Sequence, residues 1–249
     1  MTTIGQELGA GGAGLAAGLI NAVAGGGTLV SFPVLVALGV PAVRANVTNT
    51  VALCPGYLGG AYAQRRDLAE NAQRLRSLFA VAATGGLTGS VLLVLSPERL
   101  FRNLVPYLIL GACALFAAQP RLKRISRRHP DAPPNRLLLG ASVFACSVYG
   151  GYFGAGLGIM LLAVLGLALP DPLPRTNALK QALSLVINAL AALFFVFSGK
   201  VEWQFVAMMA VGSLIGGNLG GRLVGRLKPV VLRTVVICFG VAAAVKFFL

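Results

Sequence analysis

The sequence predicts an all-α integral membrane protein of two homologous halves, each a glycine-broken re-entrant or discontinuous helix plus three spanning helices. Three observations lead there. First, 57% of the residues are hydrophobic and only 11% charged, with a mean hydropathy of +0.81, whereas soluble domains carry about 25% charged residues. Second, the charges sit in short islands between apolar runs long enough to cross a bilayer, which takes roughly 17 to 25 residues. Third, a shift of 131 residues lays one half of the chain on the other without a gap.

Taken in order, the apolar runs cover 8–38, 44–63, 75–95, 100–119, 137–169, 176–198, 203–221 and 230–248. The first and fifth exceed one span and contain the glycine clusters Gly25-Gly-Gly27 and Gly154-Ala-Gly-Leu-Gly158. Three consecutive glycines cost a helix about 3 kcal/mol relative to alanine. In lipid, such a break survives only where protein or a watery cavity satisfies the freed backbone. Thr28 and Leu157 are then expected to open half-helices, whose amino-terminal ends favour an anion. Close helix packing is the competing use of glycine, and it is the expectation for Gly14 and Gly18, for Gly85 to Gly89 and for Gly216 to Gly220.

The repeat carries polar residues as well as glycines. Gly25 and Gly27 fall on Gly156 and Gly158, Arg44 on Arg175, Asn46 on Asn177, and Gly85, Gly86 and Gly89 on Gly216, Gly217 and Gly220. The expected organisation is a first repeat at 1–119, a basic cytoplasmic linker at 120–136 and a second repeat at 137–249. The linker holds His129, the one histidine, together with Asp131 and four prolines, and reads as solvated chain.

Lysines and arginines orient the halves. If the two broken runs are hairpins, the islands 65–76, 121–136, 175–180 and 222–233 share one face with 16 of the 21 basic residues. If every run crosses once, the split is 12 to 9. The positive-inside rule favours the first arrangement, with inverted halves and the basic face cytoplasmic.

Polar residues gather after each break. Asn46, Asn49 and Thr50 share a helical face, and Asn177, Lys180 and Gln181 repeat it. With Asn21, Gly25, Gly26, Gly27 and Thr28 at the first break, and Tyr152, Gly154, Gly156 and Gly158 at the second, they form the expected substrate site. Ser184 and Asn188 extend the face. The alternative is helix capping by Asn46, Thr48 or Thr176, with Lys180 snorkelling. Arg44 and Arg175 read equally as site residues or interfacial anchors.

The seven acids lie at or near run ends, so the carboxylate that usually marks a proton or cation route is not evident. Amides, hydroxyls and one lysine suit an oxyanion. Metal-assisted or nucleophilic catalysis lacks its parts, so neither a metal, a cofactor nor an enzyme is expected. The net charge of +14 flanks apolar spans, which argues against nucleic acid. Four cysteines scattered in apolar runs read as buried small hydrophobes, and Met1 to Gly9 lacks the basic start of a signal peptide.

A glycine cluster followed by Pro33-Val-Leu and then by Ala45-Asn-Val-Thr-Asn-Thr50, repeated after a central linker, resembles the sulfite exporter TauE/SafE family over about 5 to 248. The resemblance implies a multi-pass transporter of the bacterial inner membrane for small sulfur-containing anions such as sulfite, sulfonates or sulfoacetate. The family's glycine-rich segments correspond to Gly25–Gly27 and Gly154–Gly158, although Leu157 interrupts the second. The expected partners are the small anion and the lipid bilayer, with a homodimer left open. Alternatives are a permease for another small organic acid or a neutral solute, including import, and a non-transporting membrane scaffold.

Overall fold

The computed structural model describes residues 4–126, 135–223 and 229–248, and these are all-helical. The helices are α1 (Ile4–Val23), α2 (Thr28–Ala37), α3 (Ala42–Ala63), α4 (Arg65–Ala69), α5 (Ala72–Leu95) and α6 (Glu98–Ser126), then α7 (Arg136–Tyr152), α8 (Leu157–Ala168), α9 (Leu173–Val196), α10 (Trp203–Leu223) and α11 (Pro229–Phe248). His129 and Asp131 lie outside the described residues.

Three helices among the described residues are long and apolar enough to cross a membrane: Ala72–Leu95, Glu98–Ala118 and Leu173–Val196. By contrast, α2 and α8 have 10 and 12 residues, about 15 and 18 Å at 1.5 Å per residue, half of a hydrocarbon core. Each lies between a glycine break and a proline-started helix. Pro41 precedes α3 and Pro172 precedes α9, where a preset φ and a missing N–H cost nothing at a helix start.

Those starts rule out the capping alternative. Asn46, Thr48 and Thr176 do not cap helices, because α3 and α9 begin upstream of them, at Ala42 and Leu173. Thr48 instead accepts a hydrogen bond from the Glu202 amide at 2.9 Å, and Thr176 donates to the Pro172 carbonyl at 3.3 Å. Helix α6 continues to Ser126, into the stretch read as solvated from 120 onward.

The bundle is assembled by small residues. Helix α1 packs on α10 and α7 on α5, and α3 runs against both α9 and α10. A side chain at Gly14 or Gly18 would run into Met209 or Ser213 of α10, one at Gly216 or Gly220 into Leu15 or Leu19 of α1, and one at Gly89 into Val148 of α7. These glycines are packing surfaces, as expected. Aromatic rings seat α2: Phe32 lies edge-on to Phe101 at 6.4 Å and to Phe153 at 5.6 Å, and stacks with Phe247 at 6.0 Å. That cluster brings the start of the second break beside the half-helix that follows the first.

Candidate functional site

Both breaks are four residues long, 24–27 and 153–156. The first turns on one glycine in the left-handed region, Gly25 at φ +84°, and the second on two, Gly154 at +78° and Gly156 at +80°, where a Cβ would be strained. The half-helices open at Thr28 and Leu157. The two breaks touch: the Gly158 amide donates to the Gly25 carbonyl at 3.3 Å, and a side chain on either glycine would strike the other's backbone. A side chain at Gly26 would collide with Phe116, and one at Gly27 with the Ala17 carbonyl.

The Gly27 amide, at the start of α2, is already bonded by Asn21 Oδ1 at 2.6 Å. The amides expected to receive an anion are therefore partly committed to protein acceptors, Gly27 to Asn21 and Gly158 to Gly25.

Lys180 is the largest departure from a snorkelling reading. It is 1% exposed, and its Nζ donates to the carbonyls of Asn21 at 3.2 Å and Ala22 at 3.5 Å, and to Gln181 Oε1 at 3.3 Å. Those carbonyls are among the last of α1, which the helix leaves without intrahelical donors and where its dipole is negative. An ammonium from α9 thus closes the broken end of α1. It does not belong to the cytoplasmic island with which the sequence counted it.

Across the break, Asn49 occupies the position related to Lys180 by the shift of 131. Its Nδ2 donates to Thr28 Oγ1 at 3.3 Å, and its Oδ1 accepts from Ser31 Oγ, so it grips the first turn of α2. Asn46 Nδ2 donates to the Tyr152 carbonyl at 2.9 Å, joining α3 to the second break. Asn177 Nδ2 donates to Gln64 Oε1 at 2.6 Å and to the Ala22 carbonyl at 3.5 Å. Gln181 Nε2 reaches the Tyr57 carbonyl at 3.5 Å.

The structure thus gathers Asn21, Gly25, Gly26, Gly27, Thr28, Asn46, Asn49, Gly158, Asn177, Lys180 and Gln181 around the first break and its contact with the second. Thr50 is buried but turns its hydroxyl to its own helix, at the Asn46 carbonyl, 3.0 Å. Tyr152 contributes its carbonyl only, since its hydroxyl lies 3.3 Å from Ser96 Oγ. Gly154 and Gly156 shape the second turn, which the Tyr149 hydroxyl pins by donating to the Ala155 carbonyl at 2.7 Å.

Sequence reasoning missed Ser31, Gln64, Tyr149 and Phe116. Gln64 had a readable signal, since it lies 18 residues after Asn46, five turns along the same face. Arg44 and Arg175 stay outside the cluster: Arg44 pairs with Glu202 at 2.7 Å and Arg175 with Glu70, each joining the two halves at an exposed end. No group of three or more metal-ligating side chains occurs among the described residues.

A profile of the family described as "Sulfite exporter TauE/SafE" matches residues 10–247. Among curated proteins, the chain is 30% identical over 207 residues to a probable membrane transporter protein of Haemophilus influenzae, covering 82% of this chain and 80% of that one. It is 27% identical over 205 residues to the probable membrane transporter protein YfcA of Escherichia coli K12, covering 81% and 74%. With the probable membrane transporter protein ORF9 of a Sinorhizobium species it shares 25% over 241 residues, covering 92% and 87%. No solved structure matches the chain.

Proposed function

The chain belongs to the sulfite exporter TauE/SafE family of membrane transporters, and we propose that it is a multi-pass permease of the bacterial inner membrane that exports small sulfur-containing anions. The anion, of sulfite, sulfonate or sulfoacetate type, passes through a midplane site between the two glycine-broken helices. One observation carries this reading: the two breaks meet at Gly25 and Gly158, beside a buried lysine and a set of amides and hydroxyls.

The halves are inverted in this account. In its support, Gly27 lies against Ala17 and is bonded by Asn21, so the chain after the break lies back alongside α1. Moving Lys180 from the loops into the interior leaves 15 basic residues on the cytoplasmic face against five opposite, and the positive-inside rule still prefers hairpins. Broken helices meeting at the midplane of inverted repeats are a common transporter plan.

Lys180, Asn49, Gln181 and Thr50 would hold the anion once the breaks part. An inside-negative potential contributes about 2.3 kcal/mol per charge per 100 mV to its expulsion, so efflux needs no coupled cation. The test is sulfite efflux from liposomes with Lys180→Ala, expected to fall at least ten-fold. Unchanged affinity and rate would remove Lys180 from the site. A non-transporting scaffold would pack Asn49, Lys180 and Gln181 as tightly as they are packed here. Sulfite flux by the wild-type protein separates the two readings.

A further inference from the structure

Helices α3 and α9 cross one another, and both carry a buried polar stripe that runs well beyond the glycine breaks. On α9 the stripe is Asn177, Gln181, Ser184 and Asn188, at spacings of 4, 7 and 11 from its first member, which is one helical face. On α3 it is Asn46, Thr50, Tyr57 and Gln64, on the same rule. None of these residues is more than 7% exposed. A stripe of this length is expensive inside a membrane helix unless it faces partners or water.

Two buried side-chain atoms among the described residues have no hydrogen-bond partner, Asn46 Oδ1 and Ser184 Oγ. Both lie on this stripe. Leaving such an atom unsatisfied costs about 1 to 3 kcal/mol, a cost that a ligand or water would relieve. Ser184 has neighbours of the same kind: Asn188 Nδ2 donates to the Ser184 carbonyl at 2.8 Å, and Asn188 lies within hydrogen-bonding reach of the Tyr57 side chain. Gln181 ties this group to the site through the Tyr57 carbonyl.

We propose that the α3–α9 crossing carries the anion's route to and from the glycine breaks, and that Tyr57, Ser184 and Asn188 form a second binding station on it. The proposal rests on the permease reading above. Two hydroxyls and an amide offer three donors, matching the three oxygens of a sulfite or sulfonate group. Along α9, Ser184 and Asn188 lie about 6 and 12 Å from Lys180, at 1.5 Å per residue.

The experiment uses two variants in proteoliposomes. In a protein whose four cysteines are replaced, Ser184→Cys is treated with a small anionic methanethiosulfonate, with and without sulfite. Sulfite efflux and thermal stability are measured for Ser184→Ala. An unpartnered hydroxyl gives the fold no hydrogen bond, so Ser184→Ala is expected to keep or raise the melting temperature while efflux falls about five-fold. Ser184→Cys is expected to react, and sulfite to slow the reaction. Wild-type efflux from Ser184→Ala, or a reaction that sulfite does not slow, overturns the station. An unreactive Ser184→Cys, where Gln204→Cys at the exposed start of α10 reacts, overturns the route. If the wild-type protein moves no sulfite, the substrate reading fails separately, and the cysteine reactivity alone decides the route.

Discussion

The two glycine breaks share a length and one left-handed glycine 131 residues apart, and differ in the rest of the turn and in almost everything around it. Gly25 and Gly156, 131 residues apart, adopt φ of +84° and +80°, and each is followed by a short apolar helix. Around Gly25 the space is filled: Gly158, Phe116 and Ala17 occupy the positions where side chains on the three glycines would go. Around Gly156 a Cβ would meet only Ala112, at 3.3 Å. The first break receives the Lys180 ammonium and the Asn21 and Asn49 amides. The second receives the Asn46 amide on a carbonyl and the Tyr149 hydroxyl. The chain makes the turn twice but charges it once. A left-handed glycine is enough to make the turn, while the chemistry depends on which side chains of the other half converge on it.

The sharpest way to break this comparison is to add one methyl group to each turn. Gly25→Ala combines left-handed strain with overpacking against Gly158, and is expected to destabilise by about 3 to 4 kcal/mol. Gly156→Ala carries the strain with little crowding, about 1 to 2 kcal/mol. Thermal unfolding of the two purified variants gives the difference, and equal losses would contradict the asymmetry. Next in size, Tyr149→Phe removes a hydrogen bond that only the second turn has, for about 1 kcal/mol, and should leave sulfite affinity unchanged. Smallest, Arg44→Ala breaks an exposed ion pair with Glu202 and should cost less than about 1 kcal/mol in the same unfolding assay.

Legibility in the sequence divides along the same line. The glycine clusters located both turns, and the half-helix starts at Thr28 and Leu157 were readable because a run of glycines cannot continue a helix in lipid. The polar face of Asn46, Asn49 and Thr50 was readable from spacing. What could not be read is how one half docks on the other. The spacing placed Lys180 in the expected site, but what it bonds was hidden because its acceptors, the carbonyls of Asn21 and Ala22, lie about 160 residues away in sequence. The Asn177–Gln64 bond, the Phe116 ring over Gly26 and the Tyr149 pin all depend on that docking too. The capping alternative at Asn46, Thr48 and Thr176 falls because Pro41 and Pro172 start their helices upstream, and a proline start needs no side-chain cap. Helix α6 continues to Ser126, since basic residues are good helix formers.

The central claim is that an oxyanion binds where the two breaks meet and that Lys180 supplies its charge. A ligand that binds the folded state raises its stability by about 2.7 kcal/mol at one hundred times its Kd, which melting temperature reports directly. The deciding measurement is the thermal shift of the purified protein and of Lys180→Met with sulfite, methanesulfonate, sulfate and small carboxylates. The account predicts that sulfite or methanesulfonate raises the wild-type melting temperature and that Lys180→Met abolishes the shift. A shift that survives in Lys180→Met, or one given by carboxylates while both sulfur anions give none, would contradict it.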